Sequence, residues 1–99
     1  MIKNVSNKQS RINRELNRIK MRLVDESDRC RYCGSQGHDL AHILPKSVYP
    51  EYYTEEWNLT LLCRRCHNRF DNDVNFRKSS GIGEIVKEYD KLAYNRRFK

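Results

Sequence analysis

Two short cysteine pairs constrain this chain more than any other feature. Cys30 and Cys33 flank Arg31-Tyr32, Cys63 and Cys66 flank Arg64-Arg65, and about thirty residues separate the pairs. Two cysteines three apart at a tight turn aim both sulfurs at one ion, and two such knuckles complete a tetrahedral shell. Gly34, directly after the first pair, suits a knuckle. The competing reading is a pair of disulfides, or thiols that merely pack. Met1-Ile2-Lys3-Asn4 starts no apolar signal region, so nothing in the sequence points to an oxidising compartment, and a cytoplasmic setting is expected. The spacing therefore predicts one structural zinc ion held by Cys30, Cys33, Cys63 and Cys66.

Size makes such a staple necessary. A 99-residue chain has room for one domain and buries too little surface to be more than marginally stable. Charged residues are 33% of it and hydrophobic ones 37%, which is thin material for organising the middle of the chain unaided. No apolar run approaches the length needed to span a bilayer, so no membrane partner is expected.

Charge narrows the partner. The formal net charge of +7 is unevenly placed: residues 1–25 carry a net +5, residues 26–75 a net −2, and residues 76–99 a net +4. Basic flanks around a near-neutral centre suit a polyanion, because Lys and Arg displace the counterions condensed on a phosphate backbone. A solvated basic surface is the plainer alternative. In the first flank Ile12, Leu16, Ile19 and Leu23 recur on one helix face, and Ser6 with Gln9 resembles a capping box. This predicts an amphipathic helix beginning near Asn7 and ending near Glu26, its apolar stripe packed on the zinc core. Ile82, Ile85, Tyr89 and Leu92 predict a C-terminal helix over 84–95, entered through a turn at 79–83.

Between the cysteine pairs, residues 40–44 read as a short strand ended by Pro45, residues 58–62 as a second strand, and residues 64–73 as a helix. The order strand, loop, strand, helix resembles the HNH endonucleases and their ββα-metal site, over residues 30–73. His42 in Ala-His-Ile-Leu-Pro-Lys-Ser, Asn58 in Trp-Asn-Leu and His67 in Cys-His-Asn-Arg-Phe-Asp match the three motif positions. Fifteen residues separate the first two and eight the second two, as in the family. The expected fold class is α+β: a small ββα-metal core stapled by structural zinc and flanked by N- and C-terminal helices.

The resemblance implies roles. His42 is the general base for water, a task imidazole suits near neutral pH. Asn58 helps fix the loop that orients the base. His67 holds a catalytic divalent metal such as Mg²⁺, and Asp71, four residues on and therefore on the same helix face, is expected to share it. One departure stands out: many members carry a metal ligand immediately before the base, where this chain has Ala41. Asp39 reaches the metal only through a bend, since a regular strand points it away from the face of His42. The residues expected to meet nucleic acid are Arg11, Arg14, Arg18, Lys46, Arg64 and Arg65. Small proteins of this kind are often phage-borne, which the resemblance alone implies.

Plainer readings compete at each position. His42 could be a satisfied core histidine, His67 a zinc ligand in place of a cysteine, Asn58 a turn cap, Asp71 a surface acid and His38 a loop residue. The competing function is a non-catalytic zinc module that binds DNA or a protein. A third keeps the nuclease and makes RNA its substrate, with Tyr49, Tyr52, Tyr53 and Trp57 stacking on unpaired bases. The plainer role for those rings is packing between loop and core.

Overall fold

The computed structural model describes residues 2–99, with side chains from residue 9 onward. A long helix, α1 (Ile2–Glu26), leads into the first cysteine knuckle, and the strand β1 (Asp39–His42) follows. Loop 43–58 returns the chain to β2 (Leu59–Leu62), which runs into α2 (Arg64–Asn72). Short helices complete the C-terminal region: α3 (Val74–Ser79), a 3-10 turn over Ile82–Ile85, α4 (Val86–Tyr89) and α5 (Lys91–Phe98). The two strands form an antiparallel pair in which Asp39 faces Leu62 and His42 faces Leu59. This is the expected mixture of helices and a two-stranded sheet.

Each knuckle has its own local cause. Gly34 adopts φ 78°, the left-handed region that other residues avoid, and its N–H donates to the Cys30 carbonyl at 3.1 Å, closing the first turn. Cys63 is the N-cap of α2, and its sulfur accepts the Cys66 amide at 3.4 Å. Leu61 ties the knuckles together, because its carbonyl accepts from the Arg31 N–H at 2.9 Å just before the chain reaches Cys63.

The core lies around these turns. Cys30, Cys66, Leu62 and Phe70 are buried with Ala41, Ile43 and Leu44, and Phe76, Ile82, Val86, Ala93 and Phe98 close it from the C-terminal side. Helix α1 lies against β2, burying Ile19 and half-burying Ile12, Leu16 and Leu23, so the predicted stripe is the packed face. Its start differs from expectation. The helix already runs from Ile2, so the backbone of Ser6 is helical, and Gln9 donates forward to Asn13 at 3.0 Å instead of back to a cap. The Ser6 side chain lies outside those described.

The C-terminal region departs further. Asp90 breaks what the apolar periodicity reads as one helix over 84–95: its backbone is extended at φ −156°, and its carboxylate accepts the Ala93 amide at 3.0 Å, starting α5 afresh. The break rotates the buried face. Leu92 is 71% exposed and Tyr89 55%, whereas Val86 and Ala93 are buried. Asp73 does the same upstream, ending α2 and capping α3 through the Phe76 amide at 3.1 Å. Strand boundaries also move: β1 begins at Asp39 and ends at His42, and Asn58 ends a 3-10 turn instead of opening β2.

Gly83 tests how tightly the C-terminal cap is packed. A Cβ there would lie 2.5 Å from Cδ1 of the buried Phe98 ring, so the ring or the turn would have to shift. Gly83→Ala should therefore destabilise the protein by about 1–3 kcal/mol, the usual cost of overpacking. Thermal or denaturant unfolding checks this, and an unchanged midpoint would show that the C-terminal cap is loose.

Candidate functional site

Four sulfurs converge at the knuckles. The ligand atoms of Cys30, Cys33, Cys63 and Cys66 all lie within 4.8 Å of one another, and all four are free thiols. Cys33 Sγ and Cys63 Sγ are 3.7 Å apart. Tetrahedral bonds of about 2.3 Å to zinc place neighbouring sulfurs about 3.8 Å apart, so the donor set fits that ion. Their proton affinities pull in opposite directions. Hydrogen bonds with Ser35 bring the Cys33 thiol down to about 6, the Cys66 amide lowers Cys63, and burial among sulfurs pushes Cys66 up. A cation relieves that conflict by taking all four as thiolates.

Beyond the knuckles, β1 carries two faces of the site. His42 is half-buried, and its Nε2 lies 2.9 Å from the Tyr53 carbonyl while its ring stacks on that of Tyr53 at 4.6 Å. A carbonyl only accepts, so Nε2 carries the proton and Nδ1 keeps its lone pair. Desolvation lowers the His42 pKa, and the fields of His67 and Lys46 add to that, which favours the neutral ring.

The loop presenting Tyr53 is held by Asn58, which is fully buried. Its Oδ1 accepts the Leu44 N–H at 2.7 Å, and its Nδ2 donates to the carbonyls of Leu44 at 3.2 Å and Tyr52 at 3.0 Å. One amide thus clamps both ends of the loop beside the His42 acceptor. From the other side Tyr52 donates to Asp90 at 2.7 Å, and Trp57 stacks on Tyr89 at 4.5 Å. The aromatic residues are accordingly packed within the protein: Tyr52 meets Trp57 edge-on at 4.9 Å and Tyr49 at 6.1 Å.

The other strand face meets α2. His67 is bracketed by two carboxylates: Nδ1 is 2.9 Å from Asp39 Oδ2, and Nε2 is 3.4 Å from Asp71 Oδ2. Asp39 also accepts from Arg64 Nε at 2.7 Å and Nη2 at 3.3 Å, and these bonds hold its carboxyl below the usual range. Accepting from Nδ1 turns the His67 lone pair toward Asp71. Two donors 3.4 Å apart suit one ion with bonds near 2.1 Å, the rest of whose shell would come from water and phosphate. Ala41 shares the strand face of Asp39 and is 1% exposed, so it adds no ligand. Among the described residues the four cysteines are the one group of three or more side chains whose ligand atoms converge closely enough to hold a single ion.

Residues 30–73 match the family model for HNH endonuclease. The chain carries an HNH domain. No curated protein and no solved structure matches it. A match to a nuclease family model implies a nucleic acid substrate, and among the described residues no helix is long and apolar enough to cross a membrane.

Sequence reasoning underestimated Asp39, which strand alternation places toward α2 and which contacts His67 instead of reaching for an ion through a bend. It also missed Lys20 of α1, which lines a cleft of about 380 Å³ with His38, Asp39, Arg64 and His67. His42 is not among the residues lining that cleft. Of the expected nucleic-acid contacts, Arg11 and Arg14 are exposed, Arg18 pairs with Glu15, Arg64 pairs with Asp39, Arg65 is exposed, and Lys46 lies over the Tyr53 ring at 4.4 Å.

Two measurements follow from this geometry. Elemental analysis should find one tightly bound zinc per folded chain, and Cys30→Ser or Cys63→Ser should abolish cooperative melting along with that zinc. Zinc-free protein that melts cooperatively would remove the staple. In an NMR titration, His42 should take its proton below the ordinary histidine value of about 6.5. Because its folded pKa is depressed, its contribution to stability is intact above that value and lost as pH falls toward the folded one. Asp39, also depressed, loses its contribution at lower pH, as acid reaches its folded pKa. A His42 midpoint at or above an ordinary one would contradict the burial argument.

Proposed function

We propose that this protein is a metal-dependent endonuclease that hydrolyses DNA phosphodiester bonds, with His42 activating water and His67 and Asp71 holding one divalent ion. The observation that carries the reading is the bond from His42 Nε2 to the Tyr53 carbonyl, which leaves Nδ1 as the free base. Neutral imidazole near pH 7 is the form that accepts a proton from water. Asn58 acts on the loop: by clamping Leu44 to Tyr52 it keeps the acceptor carbonyl in place. Asp39 is a positioning residue, since it sets the His67 tautomer and ring orientation as a carboxylate commonly does behind a metal-bound histidine. When bound, a divalent cation supplies charge against the scissile phosphate and the departing oxygen. His67 Nε2 and Asp71 are the groups that would hold it.

DNA is favoured over single-stranded RNA because the loop aromatics are engaged with one another, with His42 or with Tyr89, which leaves them poorly suited to stack on unpaired bases. Lys46 is exposed beside His42, and Arg11, Arg14, Arg18 and Arg65 are exposed for contacts to the backbone. One observation favours the second reading, a zinc module that binds without cutting. Ala41 leaves only two protein ligands on the candidate ion.

Incubation with supercoiled plasmid and Mg²⁺ or Mn²⁺ separates the two readings. His42→Ala and His67→Ala should still bind DNA and lose cleavage by roughly a hundredfold or more. Higher metal concentration should partly rescue His67→Ala and Asp71→Ala, because affinity is what they lose, and should leave His42→Ala unrepaired. If the unaltered protein cuts neither DNA nor RNA with any common divalent ion, the binding module is the correct reading.

A further inference from the structure

The C-terminal helices carry a cluster of cations that the hydrolytic reading does not use. Arg77 and Lys78 at the end of α3, with Arg96 and Arg97 in α5, line an open cleft of about 410 Å³ beside Pro45 and Tyr49. Among the described residues none of these four side chains forms a salt bridge with a carboxylate. Two of them are instead fastened to main-chain oxygens. Arg77 donates through Nε to the Phe70 carbonyl at 2.9 Å and through Nη2 to that of Asp71 at 2.7 Å. Arg97 donates through Nε to the Ile43 carbonyl at 3.3 Å.

These anchors have a chemical consequence. A guanidinium has five N–H donors in a planar fork, so Arg77 retains three and Arg97 four after the bonds to carbonyls. Both are half-buried, and burial together with the field of Arg77 acts unfavourably on the charge of Arg97, opposed by Asp71 and Tyr49. Like charges held at fixed positions with unspent donors form an unbalanced arrangement that an oxyanion completes, by bidentate bonds of the kind Arg makes to phosphate. Lys78 and Arg96 are exposed at the rim of the same cleft.

Placement identifies the oxyanion. The Arg97 anchor, Ile43, directly follows His42, and the Arg77 anchor, Asp71, lies one helical turn beyond His67. The cationic cleft therefore adjoins both halves of the candidate site. We infer that Arg77 and Arg97, with Lys78 and Arg96 at the rim, bind a backbone phosphate of the DNA strand next to the one positioned at His42 and His67. The assignment rests on the nuclease reading for its choice of ligand. It adds a clamp on the C-terminal side to the contacts expected of α1 and of Arg64 and Arg65 in the second knuckle.

The test measures binding of the full chain, carrying His42→Ala to prevent cleavage, to a short DNA duplex by fluorescence anisotropy over a range of salt. Arg77→Gln with Arg97→Gln should weaken binding at least about tenfold and lower the slope of log affinity against log salt by about one, for the one phosphate that the pair neutralises. Should that variant fail to fold, Lys78→Glu with Arg96→Glu touches no main-chain anchor and should weaken binding to a similar degree. Arg29→Gln with Arg31→Gln removes the same charge from the exposed first knuckle and should change the slope little. Equal losses in this control would reduce the effect to net charge and overturn the inference. So would folded cleft variants with unaltered affinity and slope. Inorganic phosphate that shifts the Arg77 and Arg97 Nε–H resonances while duplex binding ignores the substitutions would assign the cleft to a free anion instead. A wild type that binds through the cleft and never cuts sinks the nuclease reading alone, whereas a cutting enzyme indifferent to the cleft variants sinks this inference alone.

Discussion

The convergence of four thiols is the constraint on which the remaining geometry depends. Cys63 is the single residue between β2 and α2, and its carbonyl accepts the His67 N–H at 2.9 Å in the first turn of that helix. Whatever holds the sulfurs together therefore sets the angle at which α2 leaves the sheet. That angle decides whether His67 meets Asp39 on β1. The first knuckle is attached to the same strand through Arg31 and Leu61, so the sheet, the helix and both turns share one anchor. A chain with so little apolar material gains from such an anchor, since its core is assembled largely from short elements that would not be stable singly.

The second half of the site depends on a buried amide instead of sulfur. Loop 43–58 is long for a hairpin connection, and a loop of that length holds a shape only if its interior polar groups find partners. Asn58 provides three such bonds, and the C-terminal region reinforces them through Asp90 and the Trp57–Tyr89 stack. Asp90 performs two tasks with one carboxylate, capping α5 and accepting from Tyr52, and that hydrogen bond, with burial and the Asp90 charge, pushes the Tyr52 phenol up to about 12. The short C-terminal helices are thus part of the support behind His42.

The two histidines sit in different surroundings. His42 is desolvated and faces His67 and Lys46, which favours its neutral form against the opposing pull of the Tyr53 carbonyl. His67 lies between two carboxylates, with Nδ1 2.9 Å from Asp39 and Nε2 3.4 Å from Asp71. Two imidazoles on adjoining elements are set apart in chemistry by what surrounds them.

Local pattern was sufficient for much of this protein. The spacing of Cys30, Cys33, Cys63 and Cys66 determines a four-thiol site because a turn of that length leaves the sulfurs few other directions, and the periodicity of Ile12, Leu16, Ile19 and Leu23 determines the packed face of α1 because helix geometry is regular. The order of His42, Asn58 and His67 in their short contexts resembles the family whose model matches residues 30–73, and the four-residue step from His67 to Asp71 places both on one side of α2. What only the tertiary structure decided are the contacts between residues distant in sequence. Asp39 meeting His67, Tyr53 receiving His42, and Arg77 and Arg97 lying together over the carbonyls of Asp71 and Ile43 all depend on how separate elements dock. The break at Asp90 belongs with them: its carboxylate can equally extend or cap a helix, and the bond it receives from Tyr52 thirty-eight residues away supports the cap.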